Sequence, residues 1–274
     1  GYAGSILTGD PDVDLVSFTG GTSTGAKVAQ SASPQFKKLS LELGGKNASI
    51  VFSDCNLEET VKGVTRAAFL NQGQVCLCGS RILLEDAIYD QFMDMFVESV
   101  ESMVIGDPMH EDTDLGALIS KQHLEKVESY VSLALEEGGE IVTGGKPCLP
   151  KELEGGNWMS PTVVTGLGTE SRCSTEEVFG PFVTVHRFNS EEDAIKIANN
   201  TRYGLAGSIW TGDTERGKRV AESIHTGMIW VNTWLHRDLR VPFGGVKDSG
   251  VGREGGKWSM GFFSEPLNVC LKHD

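Results

Sequence analysis

Three short stretches of the sequence carry side chains able to do covalent or proton-transfer chemistry. Asn71-Gln72-Gly73-Gln74-Val75-Cys76-Leu77-Cys78-Gly79-Ser80-Arg81 holds two thiols at C-x-C spacing in a polar, glycine-rich loop. Backbone amides in such a loop can stabilise a thiolate, which makes a cysteine here a candidate nucleophile. A buried, inert thiol is the commoner fate of a free cysteine. A metal site is disfavoured, because no second Cys or His pair stands at zinc spacing elsewhere. The second stretch is Leu41-Glu42-Leu43-Gly44-Gly45-Lys46. Desolvation by the flanking leucines would raise the Glu42 pKa toward a value suited to a general base. The spacing alone fits better an exposed glutamate on a strand edge, alternating with Leu41 and Leu43. The third stretch, Phe18-Thr19-Gly20-Gly21-Thr22-Ser23-Thr24-Gly25, is a glycine-rich turn between a strand and a helix starting near Thr24. Exposed N–H groups and a helix N-terminus there could cradle a phosphate. The turn is neither a P-loop, since Ala26 and Lys27 follow where Lys and Ser or Thr are needed, nor G-x-G-x-x-G. A plain strand-to-helix turn remains equally open.

These stretches sit among alternating strand and helix patterns. Apolar runs at 15–18, 48–52 and 81–84 read as strands bounded by Gly, Asp or polar clusters. Helical spacing of apolar residues runs through 57–70, 88–104, 121–137, 190–199 and 214–224. Asp54 or Asn56 is available to cap the first of these, and Ser or Thr the last two. Strands alternating with helices argue for parallel βαβ layers, an α/β fold. Thr143 to Trp158, rich in Gly and Pro and without periodicity, reads as a surface excursion. Pro266 to Lys272 is strand-like but has no hairpin partner beside it, so it should pair with another part of the chain or another subunit.

Composition narrows the functional classes. The 274 residues include 24 basic and 38 acidic side chains, a net charge of −14, which disfavours a nucleic-acid partner. No apolar run approaches the ~18 residues of a membrane span. Six scattered cysteines read as reduced thiols of a cytoplasmic protein. Glycine is the outlier, at 34 residues or about 12 % against a usual ~7 %, so sharp turns or close backbone approaches should be frequent.

Taken in order, FTGGTSTG, LELGGK, NQGQVC, Glu177-Val178-Phe179-Gly180-Pro181 and Pro242-Phe243-Gly244-Gly245, followed by Ser249-Gly250 and Gly252-Arg253-Glu254, closely resemble the motifs of the aldehyde dehydrogenase superfamily. The likeness runs over essentially the whole chain. It implies a parallel-sheet catalytic domain plus the end of a Rossmann-type cofactor domain, divided as 1–43, 44–248 and a C-terminal segment, 249–274, ending in an oligomerisation strand. It further implies that Cys76 is the nucleophile and Cys78 structural. Glu42 becomes the base that activates the deacylating water. Gly20 and Gly21 would lie under the pyrophosphate of NAD, with NADP left open; Glu177 would hold the nicotinamide ribose and Phe179 would flank the ring. Glu254 is similar to a carboxylate near a proton exit. The implied reaction adds Cys76 to an aldehyde, passes hydride to the nicotinamide and hydrolyses the thioester to a carboxylic acid. No metal takes part.

Within the superfamily, Asn232-Thr233-Trp234-Leu235-His236-Arg237-Asp238-Leu239-Arg240 is most similar to the 2-hydroxymuconic and 2-aminomuconic semialdehyde branch. Such substrates carry a remote carboxylate, which a guanidinium can grip bidentately. Arg237 is the candidate, Arg240 the alternative, and a surface ion pair the competing role; Phe243 belongs to the same substrate-binding group. By the same resemblance members are longer, the first βαβ units and an oxyanion-hole Asn would precede this sequence, and a homodimer or tetramer is expected. Two competing readings are a non-catalytic fragment that acts only as an assembly partner and a cofactor-free Cys esterase.

Overall fold

The computed structural model describes residues 1–274 apart from Leu149, Lys151, Glu152 and Glu154, which belong to the stretch read above as a surface excursion. A seven-stranded sheet forms the centre, in the order Met228–Val231, Ala206–Trp210, Ala48–Val51, Arg81–Glu85, Phe182–Phe188, Thr162–Thr165, Glu140–Thr143. Every neighbouring pair is parallel except the last. Its inner strands are apolar almost throughout, as expected of strands buried on both faces. The two-residue side-chain period then sorts them. Val51, Ile82 and Leu84 join Val61, Val64, Phe92 and Phe96 of the helices Leu57–Phe69 and Tyr89–Glu101 on one face. Ile50, Phe52 and Leu83 join Ala194, Ile197 and Val220 of Glu191–Asn199 and Thr214–Ser223 on the other. A further cluster packs the helix Lys121–Glu136 through Val127, Val131 and Ala134 onto Val164 and Phe182.

The helices fall where the apolar periodicity puts them, with ends shifted by local chemistry. Asn56, not Asp54, caps Leu57–Phe69 by accepting from Glu59 N. Ser190 caps Glu191–Asn199. The expected Thr cap of Thr214–Ser223 is replaced by Asp213, whose carboxylate accepts from the amides of both Glu215 and Arg216. The helix expected near Thr24 starts two residues earlier, as Thr22–Ala32 with Gly21 as its uncapped N-terminus.

A separate three-stranded sheet has the order Leu15–Thr19, Lys38–Glu42, Gly250–Val251. The first pair is parallel and the second antiparallel, with Gly250 opposite Glu42. Glu42 therefore does not lie on an open edge, as its alternation with leucines suggested. Its strand is central, closed by a segment from the far end of the chain. Gly250 is needed there: it has φ +143°, and a Cβ would stand 1.9 Å from Leu41 O.

The segment 266–272 forms no strand, and Leu267, Val269 and Leu271 are exposed. Among the described residues nothing pairs with it. No helix among them is long and apolar enough to cross a membrane.

Candidate active site

The carboxyl ends of the small sheet point toward the amino ends of the large one, and the candidate chemistry lies between them. Thr19-Gly20-Gly21 leaves the first strand, and Glu42 ends the second, where its carbonyl accepts from Gly20 N at 3.0 Å. Gly44-Gly45-Lys46 then leads into Ala48–Val51 of the large sheet. The loop carrying Cys76 enters Arg81–Glu85, the neighbouring strand.

A cavity of about 500 Å³ opens at this junction, lined by Gly20, Gly21, Glu42, Cys76, Glu177 and Phe179 among others. Six of the eight site residues named from the sequence thus share one space. Arg237 and Phe243 line a different cavity of about 440 Å³, together with Trp230, His236 and Glu254. There the exposed Arg237 guanidinium stacks over the Phe243 ring, 4.4 Å from its centroid. Arg240 instead forms an ion pair with Asp238 at 2.5 Å and is 88 % exposed, so it is the surface ion-pair partner.

Cys76 is half-buried, and its carbonyl accepts from Asn47 Nδ2 at 2.8 Å. The same amide donates to Cys78 O at 2.9 Å, while Asn47 Oδ1 accepts from Ala206 N at 3.0 Å. One side chain thereby ties the loop to two strands of the large sheet. Gly45 permits this, since a Cβ there would meet Asn47 Oδ1 at 2.7 Å and Cys76 O at 3.0 Å. Cys78 is buried, its thiol directed to Leu70 O. The loop amides do not make Cys76 acidic, contrary to expectation. Burial, then the carboxylates of Glu177 and Glu42, push its thiol up to about 11, against smaller favourable contributions from its own backbone amide and Arg237.

Glu42 is only 5 % exposed, and among the described residues neither carboxyl oxygen has a hydrogen-bond partner. Burial, followed by repulsion from Glu254, raises its pKa to about 8, against the opposing charge of Arg253. A carboxyl group in that range can take a proton near neutral pH.

Glu177 sits on the glycine pair: Oε1 accepts from Gly45 N at 2.9 Å, and a Cβ on Gly44 would lie 2.2 Å from Oε2. Burial raises its pKa too. Phe179, two residues on, has φ +62°, an unusual conformation for a bulky side chain. No motif marks His123 or Lys126, and Gln74 carries no assigned role within NQGQVC, yet all three line the same cavity. The first two sit three residues apart on Lys121–Glu136, in a stretch whose only visible signal was helical periodicity. Nor does a motif mark Asn47, which adjoins Lys46 and reads as an ordinary polar residue before a strand. Among the described residues no group of His, Cys, Asp or Glu is placed to hold a metal.

The Aldehyde dehydrogenase family model matches residues 2–269. The chain belongs to the aldehyde dehydrogenase family. It is 47 % identical over 273 residues to the human 2-aminomuconic semialdehyde dehydrogenase, covering 98 % of this chain and 56 % of that protein. A 2-hydroxymuconic semialdehyde dehydrogenase of Pseudomonas sp. (strain CF600) is likewise 47 % identical over 271 residues, covering 98 % and 56 %. Among solved structures, betaine aldehyde dehydrogenase from Staphylococcus aureus in complex with NAD+ superposes with a TM-score of 0.92 at 38 % identity, covering 98 % of this chain and 56 % of the other. This aldehyde dehydrogenase chain spans about half the length of the curated relatives it matches. Its parallel α/β sheet is the fold of those neighbours.

Proposed function

We propose that the chain carries the catalytic machinery of an aldehyde dehydrogenase that oxidises a carboxylate-bearing semialdehyde to a carboxylic acid with NAD. The observation that carries this reading is the convergence of Gly20, Gly21, Glu42, Cys76, Glu177 and Phe179, drawn from four separate stretches, on one cavity.

The residues present fit the cofactor. The 11-residue helix Thr22–Ala32 opens at Gly21 without a side-chain cap, and among the described residues beyond its chain neighbours no atom lies within 4 Å of where a Gly21 Cβ would stand, so a phosphate can approach its first amides. Glu177, held through Oε1 alone among the described donors, can accept from ribose hydroxyls, and Phe179 offers an aromatic wall. When bound, NAD would supply the hydride acceptor.

Cys76 Sγ adds to the aldehyde carbon, and its proton leaves for Glu42 or water. After oxidation a thioester remains on Cys76. Glu42, with its unpartnered carboxylate, takes a proton from a water molecule, whose oxygen attacks the thioester carbon; the C–S bond breaks, releasing the acid and restoring the thiol. Glu254, whose charge reaches Glu42, can relay the proton outward. Arg237, whose charge reaches Cys76 from the neighbouring cavity, is suited to hold the remote carboxylate of the substrate. Six unpaired cysteines support a cytoplasmic setting, and the exposed apolar segment 266–272 supports pairing with a second subunit.

The test is covalent capture. Incubation with a muconic-type semialdehyde and NAD should add the acyl mass to the peptide containing Cys76 and form NADH. Labelling of another residue, with Cys76 untouched, would overturn the reading.

A further inference from the structure

One face of the helix Lys121–Glu136 meets Glu176, Glu177, Phe179 and Gly180 of the segment that carries Glu177 and Phe179. The residues are His123, Lys126, Val127 and Tyr130, at positions i, i+3, i+4 and i+7 of that helix. Tyr130 Oη donates to Glu176 Oε2 at 2.7 Å, and Lys126 Nζ donates to Glu177 O at 3.1 Å. Val127 packs on Gly180, where a Cβ would come within 2.5 Å of its methyl group. His123 Nε2 is hydrogen-bonded to Phe179 O, and its ring meets the Phe179 ring edge-on at 6.0 Å between centroids. A carbonyl can only accept, so Nε2 carries the proton. Gly180 O in turn presses on Gly73 of the nucleophile loop, 2.1 Å from where a Cβ would stand.

The left-handed backbone of Phe179 needs an external restraint, because a bulky residue leaves that region readily when nothing holds it. Among the described contacts, His123 is the one side chain that bonds its carbonyl and contacts its ring. We infer that His123 is a positioning residue: it locks Phe179 in the left-handed conformation, and so fixes the aromatic wall of the cavity and the alignment of Glu177 beside it. His123 itself is required to touch neither cofactor nor substrate. The inference deepens the proposed function where it concerns cofactor binding, but the lock is a property of the polypeptide.

Two measurements separate the two claims. Hydrogen exchange by mass spectrometry over a peptide spanning 174–183 reads the lock without any cofactor. His123→Ala should speed exchange there by about tenfold, the loss of one part-buried hydrogen bond and a ring contact. His123→Gln, which keeps an N–H donor of similar reach, should return it to within about twofold of the unsubstituted chain. Exchange unchanged in His123→Ala, or equally fast in His123→Gln and His123→Ala, overturns the inference. NADH titration, followed by nicotinamide fluorescence, reads the consequence: Kd should rise about fivefold to tenfold in His123→Ala and recover in His123→Gln. If the unsubstituted chain binds no NADH, the cofactor assignment fails while the exchange result still decides the role of His123.

Discussion

Asn47 Nδ2 donates to the carbonyl of Cys76 at 2.8 Å, and the Asn47 Oδ1 accepts from Ala206 N at 3.0 Å, so the Cys76 loop is tied to the large sheet through one amide side chain. Asn47 is 3 % exposed, and its bonds have no water to replace them. Asn47→Ala leaves two carbonyls and one amide without their partner. The expected cost is about 2–4 kcal/mol, read as a lower midpoint in urea. Alkylation of Cys76 should change in the same variant; an unaltered urea midpoint and an unaltered alkylation rate would show that the loop holds itself.

Cys76 should behave as a suppressed thiol until the site is filled. With its pKa pushed up to about 11, iodoacetamide labelling of the unliganded chain should rise about tenfold per pH unit from 7 toward that value. Glu42→Gln removes one of the carboxylates responsible, so its labelling profile should move to lower pH. Cys76→Ser should remove dehydrogenase turnover by more than ~10³-fold.

Glu42 sets a second pH dependence. Its carboxylate is the basic form, so hydrolysis of the acyl-enzyme should climb as pH rises through about 8. Glu254→Gln removes a like charge and should lower that midpoint; Arg253→Met removes an opposite charge and should raise it. The same shift has a stability sign. The native state retains a proton that the unfolded chain gives up near 4.5, so this group's contribution to stability is full below 4.5 and is lost as pH rises to about 8. Glu42→Gln should flatten that decline in chemical denaturation.

Lys46 is 1 % exposed, and among the described residues its Nζ has no hydrogen-bond partner. Burial, aided by the nearby Arg81 guanidinium, lowers its pKa to about 7. Holding that amine inside costs most where it must stay protonated. Lys46→Met should therefore stabilise the fold, by the largest margin below pH 7 and by less as pH climbs toward the ordinary lysine value of 10.5. Denaturation midpoints at pH 6 and pH 10 check both the sign and the trend.

Arg237 and Arg240 should separate in substrate discrimination. Arg237→Ala should reduce kcat/KM for an anionic semialdehyde by about 10–100-fold while sparing a neutral aldehyde, the loss of a charge-assisted carboxylate contact. Arg240→Ala should leave both nearly unchanged, because that guanidinium is engaged with Asp238 at the surface. Equal losses on both substrates would remove Arg237 from substrate recognition.

Local sequence determined much of this. Period-two and period-3.6 apolar patterns are set by neighbours along the chain, so the strands Leu15–Thr19, Ala48–Val51 and Arg81–Glu85 and the five long helices were legible, with ends moved by caps such as Asp213, whereas the inner strands Thr162–Thr165, Phe182–Phe188 and Ala206–Trp210 emerged only in the structure. The family was legible because its glycine-rich motifs are contiguous stretches of sequence. The neighbourhood of each group was not. Glu42 alternates with leucines like an exposed edge residue, but its strand is central, with Gly250 paired beside it, and burial followed by the charge of Glu254 makes it reluctant to ionise. Cys76 sits among loop amides that should favour a thiolate, yet burial, followed by Glu177 and Glu42 brought in from other elements, raises its pKa instead. Asn47 and His123 carry no motif, and their partners Ala206 and Phe179 lie far away in the sequence. Periodicity records the interactions a residue makes with its chain neighbours; desolvation, charge and hydrogen bonding across the fold depend on what tertiary packing brings alongside.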